Sequence, residues 1–182
     1  MNLSAPCRNA RPDGELPPQE TAAFDFLERL HIDYERVSGD AADNMEKCDA
    51  VSAALGVPVC KNLFLCNRQK TQFYLLCMPP HKPFHTKDLS RQIGSARLSF
   101  APEEALWDFL HCTPGSATLL GLANDVQNRV RLLMDRETYE AEFISCHPCH
   151  CTSTLKLRTA DVLQKILPAC AHDVTVVDLP DE

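Results

Sequence analysis

The stretch from residue 59 to residue 65 reads Val-Cys-Lys-Asn-Leu-Phe-Leu, and the rest of the chain is organised around it. Its apolar, strand-favouring side chains predict a buried strand, yet Lys61 stands near its start. A lysine in such a strand either turns out to water or reaches into a cleft that uses its charge. The direction that Lys61 takes therefore decides most of the functional argument.

A second apolar run follows the first at hairpin distance. Residues 59–66 and 71–78 are both rich in strand-forming residues, and the polar sequence Asn-Arg-Gln-Lys joins them. Pro79 and Pro80 end the second run, because proline has no backbone N–H to donate to a neighbouring strand. The pattern predicts a β-hairpin.

Helices and strands follow one another irregularly on both sides of this hairpin. Apolar spacing, with Asn44, Thr86 and Thr159 as caps, predicts helices at residues 21–30, 45–55, 86–93, 102–110 and 160–167. Further strands are predicted at residues 32–37, 97–100, 128–134, 142–146, 152–157 and 174–177. Since a regular β-α-β alternation is lacking, we predict an α+β fold with a mixed, mostly antiparallel sheet flanked by helices.

The length of 182 residues fits a single domain. Residues 1–18 are rich in proline and polar residues, so we predict a flexible N-terminal tail followed by a domain over residues 19–182. No apolar run approaches the ~20 residues needed to cross a bilayer. The N-terminus lacks the apolar core of a signal peptide, so we expect a cytoplasmic protein without a membrane partner.

The charges are segregated along the chain. A net charge of −7 argues against unspecific binding of DNA or other nucleic acid over the whole surface. Between residues 60 and 97, however, seven lysines and arginines stand against a single acid, Asp88. This segment forms either a local basic face or ordinary solvated surface.

The ten cysteines are expected to be reduced thiols, because a secretion signal is lacking. Cys60, Cys66 and Cys77 lie in apolar runs, where a thiol packs as a small hydrophobe. The sequence Cys-His-Pro-Cys-His-Cys at residues 146–151 offers zinc ligands, but no second ligand pair accompanies it. Cys149 has no assignable base for a nucleophilic role. We therefore predict no metal and no cofactor.

Several short motifs occur in the order of a known family. Lys-Asn-Leu-Phe-Leu at residues 61–65 is followed by Arg-Leu-Ser-Phe-Ala at residues 97–101. Pro-Gly-Ser then leads to Gly-Leu-Ala-Asn-Asp, and His147-Pro148 leads to Thr-Ser-Thr-Leu. Over about residues 21–179 the chain resembles the YbaK/prolyl-tRNA-synthetase-associated family, and within it the free-standing prolyl-tRNA editing proteins of the ProX or PrdX type.

The resemblance implies a YbaK-like, partly barrel-like domain that acts in trans as an aminoacyl-tRNA hydrolase on mischarged Ala-tRNA(Pro). A pocket for proline excludes the smaller alanine poorly, because a few methylenes are worth only ~1–3 kcal/mol. A second site that admits alanine and rejects proline supplies the missing discrimination. The implied partners are the acceptor end of proline tRNA and, as a further possibility, prolyl-tRNA synthetase.

The resemblance also implies roles for single residues. Lys61 is expected to hold a phosphate or ribose oxygen, Gly115 to donate backbone N–H groups to the oxyanion, and His147 to shape the pocket or position water. Further substrate-binding residues are expected at Asn62, Ser116, Leu120, Asn124 and Asp125, although the last two could instead hold the loop of the Pro-Gly turn. Contacts to acceptor-stem phosphates are expected from Arg68, Lys70, Lys82, Lys87, Arg91 and Arg97. The implied reaction is an attack of water, assisted by the free hydroxyl of the terminal ribose.

Two departures from the family pattern keep alternatives open. Leu120 stands where the family often has an aromatic residue, and Cys151 where it often has asparagine. Because both positions bear on the pocket, cysteine or serine on tRNA is an alternative substrate. From a different class, the domain could bind tRNA or an amino acid without hydrolysis, as a module associated with a synthetase.

Overall fold

The computed structural model describes residues 2–40 and 45–181. Asn44, the predicted cap of the second helix, lies outside the described residues. Within those two ranges, no helix combines the length and the apolar character that a membrane span requires.

The strands of the described ranges form two sheets. In chain order they are β1 (Cys7–Arg8), β2 (Tyr34–Ser38), β3 (Lys61–Asn67), β4 (Phe73–Met78), β5 (Leu98–Phe100), β6 (Val130–Asp135), β7 (Phe143–Cys146), β8 (Ser153–Arg158) and β9 (Val174–Val177). One sheet has the order β1-β2-β8-β7 and the other the order β5-β3-β4-β6-β9. Among the described strands, the pairs β4–β6 and β6–β9 are parallel, and the other pairs are antiparallel. The predicted α+β class with a mixed, mostly antiparallel arrangement is confirmed, and neither sheet closes into a barrel within the described ranges.

Helices surround these sheets. They are α1 (Pro18–Arg29), α2 (Met45–Leu55), α3 (Thr86–Ile93), α4 (Glu103–Leu110), α5 (Arg136–Glu140), α6 (Thr159–Asp161) and α7 (Leu167–Ala169), with a 3-10 helix at Leu119–Asn124 and a π-helical segment at Val162–Ile166. The predicted bounds of α2 and α3 agree with the structure, although the N-cap of α3 is His85 rather than Thr86. Gly94 ends α3 in the left-handed conformation, as predicted.

The predicted hairpin forms β3 and β4 within the five-stranded sheet. Lys61 pairs with Met78 at one end and Cys66 with Phe73 at the other. The side chain of Asn67 holds the turn, because its Oδ1 accepts the backbone N–H of Thr71 at 2.9 Å. The hairpin is therefore confirmed, with β3 beginning at Lys61 instead of two residues earlier.

Alternation along the strands places apolar side chains in three clusters. In β3, Phe64 points into the main core between the two sheets, whereas Leu65 points to a second cluster beneath α3. In β2, Val37 points away from the main core to a third cluster beneath α2. The two outer clusters allow both sheets to be covered on their far faces, so that β3 lies deep in the domain.

The segment before α1 runs along the four-stranded sheet. β1 pairs with β2, with Cys7 opposite Arg36, and Arg11 forms ion pairs with Asp25 and Glu28 of α1, each at 2.7 Å. Composition did not indicate this strand, since two residues are too few to show a period. The flexibility of residues 1–18 and the domain boundary at residue 19 stay predictions.

Candidate active site

An open cleft lies along the first half of β3. It has a volume of about 240 Å³ and lies between β3, the end of β5, the start of α4 and the Pro-Gly turn. Its lining residues are Asn62, Leu63, Phe64, Phe100, Ala101, Glu103, Leu106, Pro114, Gly115 and Ala117. The cleft therefore brings together Asn62 and Gly115, two residues that the sequence predicts for the site.

The cleft exists because β5 is short. β5 pairs only with the second half of β3, from Leu65 to Asn67, and the N–H of Ala101 then donates to the carbonyl of Phe64 at 2.9 Å. Backbone groups alternate in direction along a strand, so the N–H and C=O of Asn62 point the same way as those of Phe64. They face the cleft, where no strand of the described ranges pairs with them.

A tight turn holds Gly115 at the mouth of the cleft. The N–H of Ser116 donates to the carbonyl of Thr113 at 2.9 Å, and Gly115 has a φ of 86°. With Pro114 before it, this is a type II turn, whose third position strains any residue with a side chain. A Cβ on Gly115 would meet nothing within 4 Å, so the space above the turn is open. The N–H of Gly115 bonds to none of the described residues and is available to a ligand.

Lys61 approaches this region from the other face of β3. Alternation puts its side chain opposite that of Asn62, and its Nζ donates to the carbonyl of Lys82 at 2.9 Å. The half-buried ammonium group keeps two further N–H groups beyond this bond. Lys61 is therefore next to the cleft along the chain but does not line it with Gly115.

His147 follows directly after β7. The Oγ of Ser145 in β7 accepts the N–H of Cys60 at 2.9 Å, so the end of β7 adjoins the residue before Lys61. His147 itself does not line the cleft. His147 Nδ1 is 2.8 Å from the carbonyl of Ser153 and carries the proton, because a carbonyl only accepts. Burial lowers the pKa of His147 below 6.5, which keeps the ring neutral at pH 7 and leaves Nε2 as an acceptor.

The cysteines at residues 146–151 pack rather than form a ligand cluster. Cys146 and Cys149 are buried, and burial raises the pKa of the Cys146 thiol, which makes it a poor nucleophile. In the two described ranges, the one group of three side chains close enough to share a metal ion is the exposed set His81, Glu137 and Asp181. This set does not line the cleft. The absence of a metal from the reaction stays a prediction.

Known proteins share the segments that build this geometry. The aminoacyl-tRNA editing domain family matches residues 42–165, a range that contains the hairpin, the Pro-Gly turn and His147. The chain belongs to this family. This editing domain is 28% identical over 153 residues to the prolyl-tRNA editing protein ProX of Acetoanaerobium sticklandii. The aligned residues make up 84% of this chain and 93% of that protein. It is 30% identical over 142 residues to the prolyl-tRNA synthetase associated domain-containing protein 1 of Danio rerio, which covers 77% of each.

A solved structure shares the fold of the editing domain. It is a proposed trans-editing enzyme for prolyl-tRNA synthetase, with a TM-score of 0.67 over 91% of this chain and 98% of that one. The sequence identity is 14%, so this likeness shows the fold alone. The family match and the two relatives confirm the predicted membership of the YbaK/prolyl-tRNA-synthetase-associated family.

Several residues predicted to bind substrate are used by the fold of the editing domain. Ser116 is fully buried, and its hydroxyl donates to the carbonyl of Thr113 at 3.0 Å. Leu120 is buried in the main core, and the side chain of Asn124 donates to the carbonyl of Leu110. Ser116 thereby supports the Pro-Gly turn, and Asn124 ties the 3-10 helix to the end of α4. Contact of these residues with substrate stays a prediction.

Asp125 is also a structural residue. Its carboxylate accepts the backbone N–H groups of Arg129 and Val130 at 3.0 and 2.7 Å, and His172 Nε2 lies 3.0 Å away. The residue is 4% exposed, so this carboxylate has little room for a ligand. Asp125 therefore ties the chain before β6 to the chain before β9, and does not line the cleft.

Lys82 likewise does not fit its predicted role at tRNA phosphates. It is 8% exposed, and its Nζ lies 3.1 Å from the buried carboxylate of Asp135 and 3.1 Å from the carbonyl of Leu179. Burial acts to lower the pKa of Lys82, but the hydrogen bond and charge of Asp135 raise it overall. Its charge is thus neutralised inside the protein. Spacing along the sequence could not separate this lysine from its exposed neighbours.

The other basic residues predicted for tRNA are exposed: Arg68, Lys70, Lys87, Arg91 and Arg97. They lie in the hairpin turn, on α3 and before β5, which surround the end of β3 away from Lys61. The length of β3 separates Lys61 from the hairpin turn by about 20 Å. Contact of these residues with an acceptor stem stays a prediction.

Phe100 and Glu103 line the cleft, although sequence reasoning gave them no role. Phe100 belongs to the Arg-Leu-Ser-Phe-Ala motif, and the residue is 67% exposed. Phe100 and the buried Leu98 are two residues apart in β5 and so share a face, which would predict a buried ring. The ring is exposed because β5 ends at Phe100. Glu103 brings a carboxylate to the cleft from the first turn of α4, where an acid is common for helix-dipole reasons alone. The sequence carried no signal for either role.

Proposed function

We propose that this editing domain is a trans-acting deacylase that hydrolyses mischarged Ala-tRNA(Pro) without a metal ion. The observation that carries the proposal is the cleft beside β3, where Asn62 and Gly115 meet in a chain of the aminoacyl-tRNA editing family. The relatives described above are named for prolyl-tRNA editing and for association with prolyl-tRNA synthetase. The substrate is then the aminoacylated end of proline tRNA, and the synthetase is the enzyme that releases it.

In this proposal the ester carbonyl lies beside the Pro-Gly turn. Attack by water gives the carbonyl oxygen a negative charge, and the free N–H of Gly115 donates a hydrogen bond to it. The turn fixes this N–H before the substrate arrives, since the conformation is held by the bond between Ser116 and Thr113. Stabilisation of the transition state therefore requires no rearrangement of the backbone at this point.

The amino acid lies deeper in the cleft. Its ammonium group pairs with the carboxylate of Glu103 and with the unpaired carbonyl of Asn62. The methyl group of alanine packs against the apolar lining, to which Leu106 and Ala117 contribute. A lining of fixed apolar side chains excludes proline from this cleft, because the larger ring would clash with it. The proline pocket of the synthetase cannot exclude alanine in this way, because alanine is the smaller residue.

Lys61 acts from the other face of β3, and His147 acts from the segment after β7, whose end adjoins the residue before Lys61. The two unused N–H groups of Lys61 bind a phosphate near the 3′ end and so place the ester. The neutral His147 offers Nε2 as an acceptor that positions water, while the free hydroxyl of the terminal ribose assists the attack. The tetrahedral intermediate then breaks the ester C–O bond, and the departing ribose oxygen takes up the proton that the water loses, which gives alanine and free tRNA. The protein thus supplies position and electrostatics without a covalent intermediate.

A direct assay tests the activity. Ala-tRNA(Pro), Cys-tRNA(Pro), Ser-tRNA(Pro) and Pro-tRNA(Pro) are incubated in parallel, and the release of amino acid is compared with release in buffer. Rapid loss of alanine with retention of proline is the expected result. Faster loss of cysteine or serine would favour the alternative substrates. If every ester is as stable as in buffer, the deacylase is excluded and a non-catalytic binding module is favoured.

Replacement of Lys61 tests its anchoring role. Lys61→Ala is expected to reduce kcat/KM for deacylation about 10- to 100-fold, because a hydrogen bond to a charged group contributes ~1.5–3 kcal/mol. Lys165→Ala is the matched control, since that lysine is exposed and, of the described acids, pairs with Asp161 alone. Full activity of Lys61→Ala, with both variants folded, would contradict the role.

A further inference from the structure

Phe100 presents an exposed aromatic ring at the mouth of the cleft. The residue is 67% exposed and lines the cleft together with Gly115. Within the described ranges, Trp107 and Val126 are the other exposed large apolar residues, and neither lines the cleft. Trp107 also stacks on His111, with ring centres 5.8 Å apart. Phe100 is therefore the exposed aromatic ring that a ligand in the cleft can reach.

The fold supports this ring from one side. Phe100 ends β5 opposite Leu65 of β3, and its ring packs at a tilt of 58° against Phe84, with centres 6.4 Å apart. Phe84 in turn packs on the cluster beneath α3. A ring that is held from one side and open on another is suited to stack with a nucleic-acid base.

Charges near the ring are suited to a single strand of nucleic acid. By alternation, Lys61 shares a face of β3 with Leu65 and therefore with Phe100, about 13 Å along the strand. Arg97 is exposed just before β5, so Lys61 and Arg97 lie in opposite directions from the ring along the paired strands. Cations on both sides attract phosphates, whereas the carboxylate of Glu103 disfavours a phosphate inside the cleft. The arrangement directs the phosphates along the outside and leaves the ring for a base.

We propose that Phe100 stacks on the adenine of the 3′-terminal nucleotide of tRNA. This inference rests on the proposed function, because that function places the ester of the terminal ribose beside Gly115. The base next to that ester is the terminal adenine, so it is the base within reach of Phe100. Stacking fixes the nucleotide and thereby the position of the ester carbonyl relative to the Pro-Gly turn.

A two-by-two binding experiment tests this contact. An uncharged acceptor-stem hairpin RNA ending in CCA, and the same hairpin ending in CC, are titrated against the wild type and Phe100→Ala. For the CCA hairpin, Phe100→Ala is expected to raise Kd about 5- to 100-fold, which corresponds to ~1–3 kcal/mol. For the CC hairpin, the two proteins should bind alike, because the partner of the ring is already missing.

A single-tryptophan reporter gives an independent reading. Trp107 is the one tryptophan of the chain, so Phe100→Trp in a Trp107→Phe background reports from the cleft alone. Its fluorescence is expected to change on addition of the CCA hairpin and to stay constant with the CC hairpin. Trp107→Ala, which removes an exposed ring outside the cleft, should bind both hairpins as the wild type does.

The outcomes separate this inference from the deacylase itself. An equal loss for both hairpins in Phe100→Ala, no loss for either, or no binding of the CCA hairpin by the wild type would overturn the stacking contact. The same is true of a reporter that does not respond to the CCA hairpin. Hydrolysis of Ala-tRNA(Pro) by the wild type would remain valid in each of those cases. Conversely, stacking without hydrolysis of any charged tRNA would remove the proposed activity and keep the binding site.

Discussion

Strands β6 and β3 differ in how the polar groups beside them are used. Asp125 and Asp135, at the two ends of β6, are buried, and each accepts two backbone N–H groups and one basic side chain. Asn62 and Gly115, beside β3, keep backbone groups that bond to none of the described residues. The polar groups beside β6 thus have their hydrogen-bond partners inside the protein, whereas those beside β3 are free to bind a ligand.

The difference shows which motif residues serve the fold and which are available for chemistry. Asp125 holds His172 just before β9, and Asp135 holds the N–H of Leu179 just after it, so the two carboxylates fix both ends of that strand to β6. Both carboxylates already accept hydrogen bonds from groups of the protein. A substrate needs partners that are still free, and the cleft beside β3 provides them.

Replacing Lys82, the cation paired with the buried Asp135, should have the largest effect of the proposed substitutions, on the free energy of unfolding. Lys82→Met leaves the carboxylate of Asp135 buried without its cation, which is expected to lower the free energy of unfolding by about 3 kcal/mol. The measurement is urea denaturation, with Lys87→Met on the exposed face of α3 as the matched control. The control should change stability by less than about 0.5 kcal/mol. Equal stability of the two variants would show that the buried pair is not an anchor.

The open region should respond to pH through His147. Burial lowers the pKa of His147 below 6.5, so deacylation should be constant above that pH and fall as the folded protein takes up the proton at lower pH. His147→Gln is expected to reduce the rate about 100-fold and to remove this acidic limb. The check is a pH–rate profile on Ala-tRNA(Pro), with the exposed His85→Gln as control. An unchanged acidic limb in His147→Gln would assign it to another group.

The lowered pKa of His147 also makes the free energy of unfolding depend on pH. The unfolded chain protonates His147 near pH 6.5, whereas the folded chain does so only at lower pH. Between those values the unfolded state binds more protons, so acidification lowers the free energy of unfolding. The contribution is complete above pH 6.5 and is lost as pH falls through the pKa of the folded state.

The exposed cations should show the smallest effect. Arg68→Ala and Lys70→Ala are each expected to weaken tRNA binding a few-fold and to reduce the slope of log Kd against log salt by about 1. Lys82→Met should leave that slope unchanged, because its charge is already paired. Titrations at several salt concentrations, at a temperature where the variant is folded, compare the three. A reduced slope in Lys82→Met would return that lysine to the tRNA-binding set.

Much of the fold could be predicted from the sequence, because local rules govern it. Proline after a β-rich run ended β4, glycine in the left-handed conformation ended α3, and strand alternation identified β9. Two features were beyond such rules. β1 is too short to show a period, and the division of the strands into two sheets depends on contacts distant in sequence.

The site was harder to predict, since it depends on what each side chain touches. Lys82 and Lys87 look alike in the sequence, but one is buried against Asp135 and the other is exposed. Phe100 carries the pattern of a buried strand residue, and it lines the cleft because β5 ends there. The motifs contain Asn62 and Gly115, which the structure places in one cleft. They could not tell supporting residues from free ones.

The parallel pairing of β6 also bears on the order in which the domain folds. The β3–β4 hairpin closes a short loop, and such pairs form within microseconds. The two partners of β6 are distant in sequence, β4 toward the N-terminus and β9 toward the C-terminus. Long loops must therefore close before these pairs can form. Asp125 meets His172, and Asp135 meets the N–H of Leu179, only when β9 pairs with β6. The cleft beside β3 can therefore take shape before the opposite half of the same sheet is complete.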